Sequence, residues 1–229
     1  VFVALEDECF GANGVGEALH TIDDQIAALL AELDRRGTLA NTLVIITSDH
    51  GEEFEEHGLI GHGSSLYYPS VAIPLLLALP GRVPEGLRIS TTVASRDLPA
   101  TVMELIGAAA DSPFPGSSLS RFWRPNPPAA ADTVLAELTY TWGKPSWQPT
   151  SKGDMISNFR LNRHLIRDGS GTFELYDHAA DPWEQSDFYT DSAVHPTTRA
   201  MQRELSGFPL RPAPTTPSPA TGPGAPPAE

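Results

Sequence analysis

The run Asn41-Thr-Leu-Val-Ile-Ile-Thr47, leading straight into Ser48-Asp49-His50-Gly51, constrains the fold more than any other feature of this chain. A continuous β-branched segment suits a strand buried on both faces, as in a parallel sheet covered by helices. Ahead of it, Leu19, Ile22, Ile26, Leu29, Leu30 and Leu33 recur at helical spacing from Ala18 onward. Arg35 and Arg36 sit where cations favour a helix C-terminus, and Gly37 is a natural stop. Gly11, Gly14 and Gly16 predict a loop over residues 11–16. Helix, short connection and buried strand make an α/β unit. In open α/β sheets, polar residues at the carboxyl end of a buried strand are where ligands bind.

Further along, Val71-Ala-Ile-Pro-Leu-Leu-Leu-Ala-Leu79 predicts a second strand, with Pro74 placing it at an edge or breaking its start. Residues 95–106 predict a helix with Ser95 as cap and Leu98, Val102, Leu105 and Ile106 on one face. Prolines 113, 115, 125, 127 and 128 mark a linker or a long surface crossing. Beyond them, residues 134–141, 155–162, 163–167 and 172–176 read as short antiparallel strands, with Asp168-Gly-Ser-Gly171 turning a hairpin. A short helix is expected over 197–205. Residues 207–229 hold eight of the 22 prolines and are expected to stay disordered, because too little apolar area is there to offset ordering entropy. The expected division is an α/β segment over 1–125, a small antiparallel subdomain over 126–206, and the tail.

Charge excludes some functions. Fifteen Lys and Arg against 29 Asp and Glu give a net charge of −14, which opposes nonspecific binding to nucleic acid or to an anionic membrane. The single cysteine, Cys9, rules out an intramolecular disulfide and a Cys-rich zinc module. No apolar run approaches the roughly 20 residues of a spanning helix. The N-terminus lacks a basic region and a long apolar core, so it does not read as a signal peptide. It also lacks a starting Met, and the chain reads as a piece of something longer.

The chemistry-bearing residues concentrate in residues 47–67, which hold three of the seven histidines and five carboxylates. Asp49 and His50 can meet one ion if the strand end curls. Carboxylate with imidazole suits Zn²⁺ or Mn²⁺, and carboxylate alone suits Ca²⁺ or Mg²⁺. The alternative is a turn aspartate beside a hydrogen-bonded histidine. His62, between Gly61 and Gly63, is placed either to give a proton to a leaving oxygen or as a loop histidine with no task. His57 reads as loop-ordering, with Gly58 at positive φ. Glu52, Glu53, Glu55 and Glu56 read as a solvated acidic turn. His20 reads as a packing residue, and His164, His178 and His195 as structural or exposed. Trp142 and Trp147 form an aromatic loop, a substrate rim or satellite packing.

Asp49-His50-Gly51-Glu52, Glu56-His57-Gly58-Leu59, Gly61-His62-Gly63 with Ser65-Leu66-Tyr67, and Ile73-Pro74-Leu75 together resemble the sulfatase family of the alkaline-phosphatase-like superfamily. Arg96-Asp97-Leu98-Pro99-Ala100-Thr101 is similar to the lead into its next core helix. Glu174-Leu175-Tyr176-Asp177 and Asp181-Pro182-Trp183-Glu184-Gln185 resemble its C-terminal signature. The resemblance runs in order from about residue 17 to 189. It implies a three-layer α/β/α core, present here in part, with a small antiparallel C-terminal subdomain. It implies that Asp49 and His50 bind a divalent cation, foremost Ca²⁺, with Mn²⁺, Zn²⁺ or Mg²⁺ as alternatives, and that His62 stands where the family places a Lys or His against the leaving group.

The implied activity is hydrolysis of a small-molecule or glycan sulfate ester. The alternatives are a phosphodiesterase, phosphonate hydrolase or phosphoglycol transferase of the same superfamily, or a non-catalytic truncated paralogue. The family's nucleophile motif, Cys/Ser-x-Pro/Ala-x-Arg, has no match: Cys9 lies in Asp-Glu-Cys-Phe-Gly. The chain is therefore expected to be the C-terminal part of the enzyme, inactive in isolation.

Overall fold

The computed structural model describes residues 12–128, 133–140, 143–192 and 195–213. Cys9, Trp142 and residues 214–229 lie outside the described residues. The chain divides into two compact units, Val1–Gly61 with Pro69–Val134, and His62–Tyr68 with Leu135–Glu229.

In the first unit, helix α1 spans Ala12–Arg35. It begins earlier than expected and runs through Gly14 and Gly16, whose cost of about 1 kcal/mol each against Ala a long helix absorbs. Its end follows the sequence reading. Glu32 holds both Arg35 and Arg36. Gly37, at φ +67, donates to the Asp34 carbonyl while Thr38 donates to that of Leu33, the paired bonds of a Schellman stop. Ile22, Ile26, Leu30 and Leu33 are half-buried, but His20 is exposed rather than packed.

Strand β1, Val44–Thr47, pairs with a later strand, Leu75–Ala78, with Val44 opposite Ala78 and Thr47 opposite Leu75. The pairing is antiparallel and the β1 residues are half-buried or exposed. This corrects the expected parallel pairing: an apolar run reports that a strand buries surface, not the direction of its neighbour. Between them lie a two-residue hairpin, β2 (Glu53–Phe54) and β3 (Ile60–Gly61), and one helical turn, α2 (Tyr68–Val71). The Leu75–Ala78 strand, β4, is shorter than expected because Pro74 has no N–H to give to a ladder. Helix α3, Asp97–Leu105, has Arg96 at its N-cap with no side-chain cap, so Ser95 does not take that role. Buried Asp97 instead accepts from Arg121 Nη2 at 2.7 Å and from the Ser117 N–H at 3.0 Å. That pairing ties the segment after α3 back to its first turn.

The second unit is built on a four-stranded antiparallel sheet in the order β5 (Val134–Leu138), β6 (Met155–Arg160), β7 (Arg163–Arg167), β8 (Phe173–Asp177). The strands fall close to their expected places. Alternation assigns the two faces. Ile156, Leu165 and Leu175 pack against Met201 and Leu205 of helix α5 (Pro196–Ser206), which follows the short α4 (Tyr189–Ser192). On the opposite face, residues 62–68 cover the sheet. Tyr67 Oη donates to Glu174, Tyr67 and Tyr176 meet edge to face, and Tyr68 does the same with Phe159. Both faces being covered explains why Met155–Phe159 is buried at every residue. Residues 207–213, grouped by sequence with the tail, run beside Asp154: its carboxylate accepts from Arg211 and its N–H donates to the Arg211 carbonyl.

The β7–β8 turn is held by Asp168. Its Oδ1 accepts from the Ser170 hydroxyl and from the N–H groups of Ser170 and Thr172, and its Oδ2 from Lys152 Nζ. Burial pushes the Asp168 carboxyl up, but the Ser170 hydroxyl and Lys152 outweigh it and hold the group below the usual aspartate range. A folded-state pKa below the unfolded one adds stability that is fully present above the unfolded value, about 3.9, and is lost as pH falls through the folded value. Asp168→Asn should therefore lower stability by about 1–3 kcal/mol at pH 7, the usual cost of losing charged hydrogen bonds. Its deficit should shrink as the wild type is acidified below pH 4. Thermal unfolding of both proteins across that range checks this, and a deficit independent of pH would refute it.

Candidate functional site

The end of β1 curls as the strand-end reading requires. Ser48 Oγ donates to the His50 carbonyl at 2.7 Å, and the His50 N–H donates to Asp49 Oδ1 at 3.0 Å. His50 Nδ1 lies 2.7 Å from the Gly51 carbonyl. A carbonyl only accepts, so Nδ1 carries the proton and a neutral ring keeps its lone pair on Nε2. That nitrogen lies 3.7 Å from Asp49 Oδ1. Donors bonded to one ion at about 2.0–2.5 Å stand about 3–4 Å apart. The strand end thus presents two donor atoms 3.7 Å apart, a spacing one coordination shell could accommodate. The Asp49 carboxyl is held below the usual range, by its own backbone N–H first and then by the His50 ring. It is ionised at neutral pH, as a ligand must be.

Two residues the sequence reading passed over complete this corner. Glu52, assigned to a solvated turn, brings a carboxylate oxygen within 4.8 Å of a His50 ring nitrogen. Its spacing, two residues past His50, was the only available signal, and it was masked by three neighbouring glutamates. Gly51 donates to the Ser70 carbonyl, and a Cβ there would lie 1.9 Å from the Pro69 carbonyl oxygen. The glycine therefore lets the 69–72 backbone pack against the strand end. Glu53 is likewise not solvated. It is buried, accepts from Ser70 Oγ at 2.6 Å and lies 3.9 Å from His57. His57 and Gly58 order the hairpin turn as expected, with Gly58 at φ +66.

His62 lies in the second unit. Its ring is exposed, and its flanking glycines have φ +89 and +70. The residues after it are fixed within that unit: the Thr150 N–H donates to the Ser64 carbonyl, and Lys144 Nζ to Ser64 Oγ at 3.2 Å. Trp147, on that loop, is exposed. His164 is buried and paired with Glu184, His178 lies against Tyr68 with ring centroids 3.9 Å apart and planes tilted by 41°, and His195 caps α5 by accepting from the Thr197 N–H.

Residues 12–108 match the family model for sulfatases. The match covers less than half of this chain. An N-acetylglucosamine-6-O-sulfatase of Bacteroides thetaiotaomicron is 26% identical over 170 residues, covering 73% of this chain and 30% of that protein. Arylsulfatase K of Xenopus laevis is 37% identical over 97 residues, 42% of this chain and 18% of that protein. Among solved structures, one described as a complex with its substrate D-glucosamine-2-N,6-O-disulfate superposes with a TM-score of 0.71 at 21% identity, over 82% of this chain and 38% of that one. Phosphonate monoester hydrolase of Agrobacterium radiobacter gives 0.67 at 21% identity, over 84% and 39%. The chain thus shares the fold of these solved structures over the matched part and spans less than half the length of these relatives. Sulfatases generally bind a divalent metal, and the His50 and Glu52 donors are of the kind such an ion takes. Among the described residues no helix is long and apolar enough to cross a membrane.

Proposed function

We propose that this chain contributes to a metal-dependent sulfate-ester hydrolase, with Asp49 and His50 as cation ligands, Glu52 as a further donor, and His62 as the acid at the leaving group. The observation that carries this reading is the His50 geometry. Nδ1 is committed to the Gly51 carbonyl, and Nε2 is turned to Asp49 Oδ1 at 3.7 Å. A divalent cation there, calcium foremost, would offset the negative charge that gathers on the sulfate oxygens as the ester bond breaks. The reaction takes the ester and water to an alcohol and sulfate: the sulfur–oxygen bond to the alcohol breaks, water oxygen goes to sulfur, and the departing oxygen takes a proton. His62 is exposed between two glycines, where a substrate can reach it, and an imidazole is a common general acid. The domain division at about residue 125 is part of this reading, with Asp49, His50 and His62 all within the α/β segment.

Titration of Ca²⁺ or Mn²⁺ into the protein tests the ligands. Asp49→Ala and His50→Ala should each weaken the cation by well over tenfold, since losing even a supporting residue costs about 10–100-fold. In the enzyme that carries this chain, sulfate-ester turnover should fall with metal content. Full metal affinity and full turnover in Asp49→Ala would defeat the proposal. His62→Ala should slow poor leaving groups most, and an equal loss across leaving groups would assign it to binding instead. The likeness to a phosphonate monoester hydrolase supports a second reading. Faster turnover of an aryl phosphonate monoester than of the matching aryl sulfate would select it.

A further inference from the structure

Fifteen cationic side chains serve a chain of net charge −14, and most are engaged. Arg35 and Arg36 hold Glu32, Arg121 holds Asp97, Arg124 holds Glu104, Lys152 holds Asp168 and Arg211 holds Asp154. Arg163 and Arg167 bond to α5. Arg88, Arg96, Arg160, Arg199 and Arg203 are exposed with no side-chain partner shown among the described residues, and of these Arg199 and Arg203 stand one helical turn apart on α5. Together with Gln202, Ser206 and Gly207 they line an open groove of about 590 Å³. No carboxylate is in that lining. The one acid of α5, Glu204, is turned to the sheet, where Asn158 Nδ2 donates to it at 3.2 Å.

A cation in the last helical turn is ordinarily explained by the helix dipole, and that suffices for Arg203. It does not explain Arg199, which sits in the first half of α5, where the dipole disfavours a cation. Guanidinium groups four residues apart are about 6 Å apart along the axis, and each offers a planar fork matched to a sulfate or carboxylate. Gln202 and Ser206 add neutral donors between and beside them.

We propose that this groove is a second anion-binding site, distinct in residues from the Asp49–His50 corner, which takes a sulfated saccharide segment through Arg199 and Arg203. The groove's own chemistry requires a ligand with at least two anionic groups. That the ligand is a sulfated saccharide rests on the functional reading above. The site holds a glycan and performs no bond chemistry.

The test is binding of a heparin-derived tetrasaccharide to the 229-residue protein at low and at moderate salt. The wild type should bind it, and more weakly as salt rises. Arg199→Ala/Arg203→Ala should bind at least tenfold more weakly with unchanged thermal unfolding. Arg199→Lys/Arg203→Lys should fall between, because charge is kept and the fork lost. Asp49→Ala/His50→Ala should bind like the wild type, which separates this site from the proposed metal site. The proposal is overturned if the wild type does not bind, if the double alanine variant binds equally, or if the desulfated tetrasaccharide or a single-stranded oligonucleotide binds as tightly.

Discussion

Glu184→Ala is expected to destabilise the second unit by about 3–5 kcal/mol, since each of two buried donors left without its acceptor costs about 1–3 kcal/mol. Both side chains of the pair are fully enclosed, with Glu184 Oε1 2.6 Å from His164 Nδ1. Glu184 Oε2 also accepts from the Tyr68 N–H at 2.8 Å. Alanine would orphan two donors in one place. His164 has no other recourse: Phe159 stacks on its ring at 3.6 Å, and Nε2 has no hydrogen-bond partner among the described residues. Glu184 sits at φ +55, a conformation that costs a non-glycine residue about 1–2 kcal/mol. The side-chain contacts offset that strain, and alanine keeps the strain without the contacts. For a chain of this size the loss corresponds to a fall in Tm of about 10 °C or more. Glu184→Gln should be milder, because one oxygen still accepts. A double-mutant cycle with His164→Ala should return a coupling of about 1–3 kcal/mol. A Glu184→Ala variant within about 1 kcal/mol of wild type would refute the account. The effect reaches function through the chain itself, because Tyr68 ends the segment that begins at His62.

What the sequence revealed and what it hid divide along physical lines. Period and punctuation carried the secondary structure. The α1 stripe, the Gly37 stop, the Asp168–Gly171 turn and the strands around it report local preferences that tertiary packing did not override. The direction of the β1–β4 pair was not legible, since Val44-Ile-Ile is equally apolar beside either kind of neighbour. Burial of acids was not legible either. Glu52 and Glu53 sit in a run of four glutamates that reads as solvated, yet Glu53 is enclosed because Ser70, seventeen residues on, returns to meet it. Glu184 is the same case at longer range, with its partners 20 and 116 residues away. The Asp49–His50 pair was visible as a motif, but the orientation of the His50 ring was not, because it depends on one carbonyl, that of Gly51.

That carbonyl makes Gly51→Ala the most informative substitution in the first unit, with an expected cost of about 3 kcal/mol or more. Overpacking usually costs about 1–3 kcal/mol, and here the obstruction cannot rotate aside. A Cβ at 51 would stand 1.9 Å from the Pro69 carbonyl oxygen and 2.9 Å from that of Ala72, both backbone atoms. Gly51 is not among the positive-φ residues, so the cost is steric and an alanine has no backbone strain of its own to add. Relief must come from parting the strand end from residues 69–72, which breaks the 2.9 Å bond from the Gly51 N–H to the Ser70 carbonyl. The same movement displaces the carbonyl that fixes the His50 tautomer, so cation affinity should fall even where the variant remains folded. Gly58→Ala is the control. It lies at φ +66 with open space around it, so it should cost only about 1–2 kcal/mol of left-handed strain and leave affinity unchanged. Denaturant unfolding and calcium titration of the two variants separate close approach from backbone conformation. Equal effects in both would mean that the glycine after Asp49-His50 serves the turn rather than the ligand.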